Sequence, residues 1–292
     1  MRPKIYPPDE LTRSAERAKQ PVVLTIAGYD PSSGAGITAD LQVFAAHGLF
    51  GVSAITAMTV QSTQGVAAVH CTDPAWLSRT LECLAADLPI AGVKIGMLGS
   101  DESVQAVARF LGPPSHRPPK IPIVFDPVLK SSSGHDLLAA GALKRIQIEL
   151  LPRVTWITPN WRELEVLSGE KIKHIDQVPG AAQRLGKRYP SLHIVATGGE
   201  AREPVDLLWS PGGSVHAYRG ERVETTSTHG TGCAFSSALV SRLVLGDQPT
   251  DSVSRAKGFV TTALRLAPGL GQGNGPLNLL WPLTERQSRV DS

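Results

Sequence analysis

Short runs of wholly apolar residues alternate along this chain with longer amphipathic ones. Pro21 leads into VVLTIAG, an apolar run closed by glycine, the pattern of a strand buried on both faces of a parallel sheet. It recurs in AGVKIGML (91–98), IPIVFDPV (121–128), VTWITPN (154–160) and LHIVATGG (192–199), all interrupted or ended by Gly, Pro, Asp or Asn. Between these runs, segments 36–48, 74–88, 101–111, 136–151, 161–168 and 176–188 space their apolar residues for a helix with one buried face. Strands alternating with helices predict an α/β fold, a parallel sheet of βαβ units with right-handed crossovers, covered by helices. Ligands then belong at the C-terminal ends of the strands.

Local signals place several boundaries. Asp73 and Pro74 supply a capping carboxylate and a proline whose missing N–H costs nothing in a first turn. Pro152 closes another helix. After residue 200 the rhythm changes: PVDLLWS and SVHAYRG, joined by Pro211-Gly212-Gly213, read as a hairpin. Two helices, 231–246 and 250–267, precede the glycine-rich stretch GLGQGNGP. Residues 1–20, polar and with three prolines, are read as a mobile N-terminal extension. No repeat or linker divides the remainder, so residues 21–292 are read as a single domain.

Composition narrows the function classes. With 41% apolar and 19% charged residues among 292, the chain has the profile of a globular protein with a substantial core. Lys plus Arg exceed Asp plus Glu by only 29 to 26, too little for the basic surface that nucleic-acid or membrane binding needs. Any phosphate binding must be local. Cys71, Cys83 and Cys233 show no CxxC spacing, and no histidine pair shows HxxxH spacing, so neither a disulfide framework nor a zinc centre is expected. The absence of a long apolar run or an N-terminal apolar core predicts a soluble, cytoplasmic protein.

Three segments carry candidate chemistry. In Thr228-His229-Gly230-Thr231-Gly232-Cys233, two glycines let backbone N–H groups converge at a helix N-terminus, where the macrodipole favours an anion. The same glycines also suit a plain tight turn into a buried helix, and the segment alone admits both. At such an N-terminus the Cys233 thiol is expected to have a lowered pKa and to assist proton removal; the alternative is a structural thiol. Cys71 and Cys83 lack that setting and are read as core. The loop G-Y-D-P-S-S-G-A-G (28–36) is neither a dinucleotide fingerprint nor a P-loop, for it lacks the third spaced glycine and the Gly-Lys-Ser/Thr. Asp40, on the following helix, faces either solvent or the strand-end crevice. Asn160 and Glu163 sit three residues apart on an opening helix. They either organise water around Mg²⁺ together with Asp126, or form a capping pair.

Taken in order, TIAGYDPSSGAGITADL, ITAMTVQSTQGV, KIGML, DPVL, TPNWRELEVL and STHGTGCAFSSAL resemble the bacterial hydroxymethylpyrimidine/phosphomethylpyrimidine kinases, and the likeness spans roughly residues 22 to 280. The resemblance implies a ribokinase-like three-layer sandwich, its central mostly parallel sheet flanked by helices. It implies two successive phosphorylations of the thiamin pyrimidine with ATP and Mg²⁺, in a homodimer. By the same resemblance Gly28, Asp40, Gln61, Met97 and Val128 form the pyrimidine site, and Gly230, Thr231 and Gly232 cradle the transferring phosphate. Cys233 stands where sugar-kinase relatives carry a catalytic aspartate. Asn160, Thr197, Gly199 and Lys130 fall to ATP and its phosphates, and Asp126 and Glu163 to the metal. A glutamine at 61 is apt, since its amide offers the donor and acceptor that an aminopyrimidine edge requires. The chain departs from the family at Thr197-Gly198-Gly199-Glu200, where many relatives carry Lys-Gly-Gly-His, and in Tyr29 and Ser33. It also lacks the histidine usual after Gly275-Pro276. A pyridoxine or pyridoxal kinase on the same scaffold and a non-catalytic pyrimidine sensor are the alternatives.

Overall fold

The computed structural model describes residues 20–113, 121–129, 141–199 and 204–284. The N-terminal extension expected over 1–20 lies outside them, apart from Gln20. Each of the apolar runs forms a strand: β1 (Val22–Tyr29), β4 (Ile90–Ile95), β5 (Ile123–Phe125), β6 (Trp156–Ile157) and β7 (His193–Ala196). The amphipathic segments form α1 (Gly36–Ala46), α2 (Pro74–Asp87), α3 (Asp101–Leu111), α5 (Trp161–Ser168) and α6 (Val178–Arg188). As expected, Asp73 accepts from the Trp76 amide and caps α2. The helix expected over 136–151 begins outside the described residues. Its described part is one α turn, α4 (Ala142–Arg145), that widens to a π turn (Ile146–Leu150) and tightens to a 3₁₀ turn (Leu151–Arg153) around Pro152.

Beyond residue 200, β8 (Val205–Trp209) and β9 (Val215–Arg219) form the expected hairpin, with Gly212 and Gly213 at positive φ in the turn. Then come α7 (Thr231–Val244) and α8 (Pro249–Arg265). Two strands escape the pattern of apolar runs: β2 (Phe50–Ser62) and β3 (Gly65–Cys71). Both are half exposed and built largely of Ala, Thr, Ser and Val, so they show no unbroken apolar run.

The strands form one nine-stranded sheet in the order β3-β2-β1-β4-β5-β6-β7-β8-β9. From β2 to β7 neighbours pair in parallel, while β3, β8 and β9 are antiparallel edges. Alternation along each strand feeds two apolar layers. Leu24, Ile26, Val93 and Ile95 pack towards Leu77, Val107, Leu164 and Leu185, on α2, α3, α5 and α6. Val23 and Val124 pack towards Phe44, Ala238 and Phe259, on α1, α7 and α8. Period-two alternation also sends Thr25 and Lys94 to the second layer.

Helix α6 rests on β8 through Gly186, where a Cβ would collide with the buried Trp209 ring. Gly186→Ala gains about 1 kcal/mol of helix propensity, but overpacking against an indole typically costs about 1–3 kcal/mol. Calorimetry is expected to show a lowered melting midpoint for this variant, against the rise that propensity alone predicts.

Candidate active site

The strand order reverses at β1, whose chain continues to β2 on one side while β4 joins on the other. Such a reversal opens a crevice beyond the C-terminal ends of the two central strands. Here β1 runs into the loop 28–36, which is wound around Asp30. Its carboxylate accepts from the Ser32 amide (2.8 Å), the Ser32 hydroxyl (2.7 Å) and the Ala35 amide (2.9 Å). Burial pushes Asp30 up, yet hydrogen bonds from His229 and Ser32 outweigh it and hold the carboxyl below its ordinary value.

The segment 228–233 meets that loop. Gly230 is left-handed (φ 82°), and a Cβ there would collide with the Gly34 carbonyl, so only glycine lets the two loops interlock. His229 Nε2 lies 2.7 Å from Asp30 Oδ2. The first amides of α7, residues 231–233, have no acceptor within the helix, and Gly230 supplies no side-chain cap, whereas Asp73, Ser100 and Asn160 cap α2, α3 and α5. Gly232 is exposed, and Thr231 and Cys233 are half buried. The result is an open cradle of N–H groups at the positive end of a helix. Asp126, at the end of β5, stands beside it: a Cβ on Gly232 would lie 3.6 Å from Asp126 Oδ2, which also accepts from Ser236 Oγ at 3.3 Å.

A buried ion pair underlies this corner. Lys94 Nζ, wholly buried, donates to both oxygens of Asp40 at 2.9 Å, and Asp40 also accepts from Thr25 Oγ1 (2.6 Å) and Ser237 Oγ (2.7 Å). Burial opposes the ammonium charge, but Asp40, Cys233 and Asp126 together raise its pKa above the ordinary value. The expectation that Asp40 touches substrate is therefore corrected. Its carboxylate is fully buried and saturated, and it serves as the counter-ion beneath the site. The expected lowering of the Cys233 thiol is corrected too. Desolvation pushes it up to about 11, with Asp126 and Asp40 acting in the same direction against Lys94 and the Gly36 amide. Asp126 itself is pushed up to about 6, first by burial and then by Asp40, against Lys94 and Ser236.

Gln61, near the end of β2, joins the cradle through its amide, which lies 3.0 Å from His229 Nε2. Gly28 faces Met97, whose Sδ would lie 3.1 Å from a Cβ there, and Val128 closes a tight turn over Asp126 through its amide (2.9 Å to the Asp126 carbonyl). Beyond β5, the backbones of Asn160 and Thr197 run together as a parallel bridge, and the Thr197 amide donates to the Pro159 carbonyl at 2.9 Å. Gly199 is exposed, and Lys130 and Glu200 lie outside the described residues.

Asn160 and Glu163 form the reciprocal capping pair, 2.9 Å in each direction. That geometry accounts for the N-x-x-E spacing by capping, with one Glu163 oxygen in the cap. Among the described residues no group of three His, Cys, Asp or Glu side chains could hold a metal ion. Cys83 is exposed and Cys71 only half buried, which corrects their reading as core: Leu77 and Leu81 take the buried face of α2.

Sequence reading left out Lys94, Asp30, His229 and Ser237. One signal was present, since a lysine inside an apolar strand is rarely buried without a carboxylate partner. Beside Thr197, the Gly198 amide donates to Asp206 Oδ1 (2.9 Å), whose other oxygen accepts from Lys257 Nζ (2.7 Å). Lys257 lines an open pocket of about 350 Å³ with Tyr218, Gly220, Thr261 and Arg265. No helix among the described residues is long and apolar enough to cross a membrane.

Comparison with known proteins places this geometry in a family context. The profile of the phosphomethylpyrimidine kinase family matches residues 30–278. A hydroxymethylpyrimidine/phosphomethylpyrimidine kinase of Haemophilus influenzae is 38% identical over 261 residues, covering 88% of this chain and 95% of that one. A thiamine biosynthesis bifunctional protein of Geobacter sulfurreducens is 38% identical over 258 residues, and there the chain spans only 51% of the relative's length. Among solved structures, a phosphomethylpyrimidine kinase of Clostridium difficile superposes with a TM-score of 0.73 at 34% identity, covering 84% of this chain and all of that one. The pyridoxal kinase of Staphylococcus aureus in complex with AMP-PCP and pyridoxal gives 0.78 at 27%, covering 89% and 94%.

The raised Asp126 pKa has a stability consequence. The folded protein binds the Asp126 proton more tightly than the unfolded chain, so stability is lost as pH rises from the ordinary carboxylate value through about 6. Asp126→Asn is expected to raise folding stability by about 1–3 kcal/mol at pH 8, with the gain shrinking towards pH 5. Urea unfolding at the two pH values measures it.

Proposed function

The chain belongs to the phosphomethylpyrimidine kinase family, and on that premise we propose that it transfers the γ-phosphoryl group of ATP to the hydroxymethyl oxygen of 4-amino-5-hydroxymethyl-2-methylpyrimidine, and then a second phosphoryl group to the monophosphate, in thiamin biosynthesis. The observation that carries this reading is the uncapped, glycine-led N-terminus of α7 lying beside Asp126 and tied through His229 to Gln61. An anion cradle and an amide suited to an aminopyrimidine edge share one crevice.

Phosphoryl transfer passes through a loose transition state, so alignment and charge neutralisation matter more than covalent help. The 231–233 amides neutralise charge on the transferring group, and one such preorganised donor is typically worth about 2.7–4 kcal/mol. Gln61, Gly28, Met97 and Val128 line the pyrimidine side. The pocket beside Lys257, joined through Asp206 to the Gly198 amide, takes the nucleoside, and Asn160, Thr197 and Gly199 border the path between them. Mg²⁺ binding through one carboxylate, water and phosphate oxygens fits Asp126, and the metal would supply charge neutralisation on the phosphates. Cys233 enters as a thiol, since its pKa of about 11 keeps it protonated at neutral pH. It therefore relays the departing hydroxyl proton, taking it on sulfur while its own proton passes to an oxygen of the transferring phosphoryl group, and is not the base. In the second step the acceptor is a phosphate and no relay is required.

The pyridoxal kinase likeness supports a second reading, since pyridoxal is also an aromatic heterocycle with a hydroxymethyl group. A mass-resolved product assay with ATP and either substrate separates the two: exclusive phosphorylation of pyridoxal sinks the pyrimidine reading, and no product with either favours a sensor. In the same assay Cys233→Ala is expected to slow formation of the monophosphate about a hundredfold and the diphosphate much less, while Cys233→Ser keeps most of the first step. Equal losses in both steps contradict the relay.

We read residues 21–292 as a single kinase domain, cytoplasmic in setting and dimeric through the outer face of β2, where Met58 and Val60 are 54% and 64% exposed and unpartnered apolar residues favour a self-complementary contact. Sedimentation of Val60→Asp is expected to show a monomer where the parent chain sediments as a dimer.

A further inference from the structure

One end of the Gln61 amide lies 3.0 Å from His229 Nε2 and the other 3.2 Å from Thr59 Oγ1. Which end is the oxygen follows from the donors and acceptors around it. His229 Nε2 also lies 2.7 Å from Asp30 Oδ2. That carboxylate is held ionised, because its hydrogen bonds from His229 and Ser32 outweigh the burial that pushes it up, and a carboxylate can only accept. Nε2 therefore carries a proton and gives it to Asp30. A ring nitrogen that donates has no in-plane lone pair left, so the amide end facing it is the oxygen, which shares the single Nε2 hydrogen with Asp30 in a three-centre bond whose shorter arm is to the carboxylate. Thr59 leads independently to the same orientation. Its single hydroxyl hydrogen goes to the Tyr29 carbonyl at 2.9 Å, so towards Gln61 the hydroxyl can only accept, and the amide end facing it is the NH₂.

We propose that His229 and Thr59 are positioning residues for Gln61: His229, anchored on Asp30, takes the amide oxygen, Thr59 takes one N–H, and the remaining N–H is the donor offered to a ring nitrogen of the substrate. This rests on the heteroaromatic substrate reading above. The consequence is specificity. A freely turning glutamine amide accepts a ring N–H as readily as it donates to a ring nitrogen. A locked one selects rings that present a bare nitrogen, because the wrong edge leaves two donors facing each other without partners. The lock also joins three segments far apart in the chain, 30, 59–61 and 229, so the interlocked glycine loops and the substrate-facing amide form one unit.

The test measures the KM for 4-amino-5-hydroxymethyl-2-methylpyrimidine, the KM for ATP, and the side-chain carbonyl carbon and nitrogen NMR shifts of Gln61 in glutamine-labelled protein. His229→Leu and Thr59→Val are each expected to raise the pyrimidine KM about tenfold, the loss of one oriented hydrogen bond, and to leave the ATP KM unchanged. His229→Leu is expected to move the Gln61 carbonyl carbon upfield, since that oxygen loses its donor, and Thr59→Val to move the side-chain nitrogen. His229→Gln, which places an N–H near the imidazole's Nε2, and Thr59→Ser are expected to restore both readouts. In a Gln61→Ala background neither substitution should raise KM further. An unchanged pyrimidine KM, an equal rise for ATP, or the same rise without Gln61 overturns the proposal; should His229→Leu not fold, the Thr59 pair decides it alone. Absence of pyrimidine turnover in the parent protein sinks the kinase reading separately, and the Gln61 shifts then still decide the amide's orientation.

Discussion

The buried ion pair between Lys94 and Asp40 is the constraint on which the rest of the site depends. An ammonium taken out of water is costly unless it is paired and hydrogen-bonded, and here the requirement is met by four elements at once. Lys94 comes from β4, Asp40 from α1, Thr25 from β1 and Ser237 from α7. Satisfying one buried charge therefore fixes how both helices sit on the two central strands. Because α7 begins six residues before Ser237, the same pairing places the cradle of N–H groups over the sheet edge.

The pair also sets the chemistry above it. Burial, with Asp40 acting in the same direction against the fixed cation, holds Asp126 partly protonated near pH 6, and burial first of all keeps Cys233 a thiol. What this corner presents to the crevice is backbone dipoles and a neutral sulfur. A neutral sulfur at this position adds no further full charge beside the cradle. This accords with a loose transition state that asks for orientation more than for a strong base.

Glycine defines the remaining geometry at two points. Gly230 must be left-handed and must let the Gly34 carbonyl approach, and Gly36 must let α1 start against the Gly28 carbonyl. These contacts bring residues nearly two hundred positions apart into one wall, closed by the hydrogen bonds of His229 to Asp30 and Gln61. Further along the same sheet edge, the Asn160 and Glu163 capping pair opens α5 beside Thr197. A helix start capped in this way is a rigid border for the strand-end crevice.

The strand and helix rhythm was legible in the chain because a strand buried on both faces must be apolar throughout and a surface helix must be apolar on one side. β1, β4 to β7 and nearly every helix follow from that alone. β2 and β3 were not legible, since half-exposed strands rich in Ala, Thr and Ser carry little pattern. The loop 28–36, the segment 228–233 and Gln61 were visible as residues, the last through family resemblance. By itself the sequence determined which residues could do chemistry. Only the tertiary structure decided which of them face the crevice: Asp40 was drawn inward to neutralise Lys94, Glu163 closes its own helix cap, and the Cys233 thiol was raised first by burial and then by its carboxylate neighbours. Charge pairing and desolvation act between segments remote along the chain, and local spacing carries no record of them.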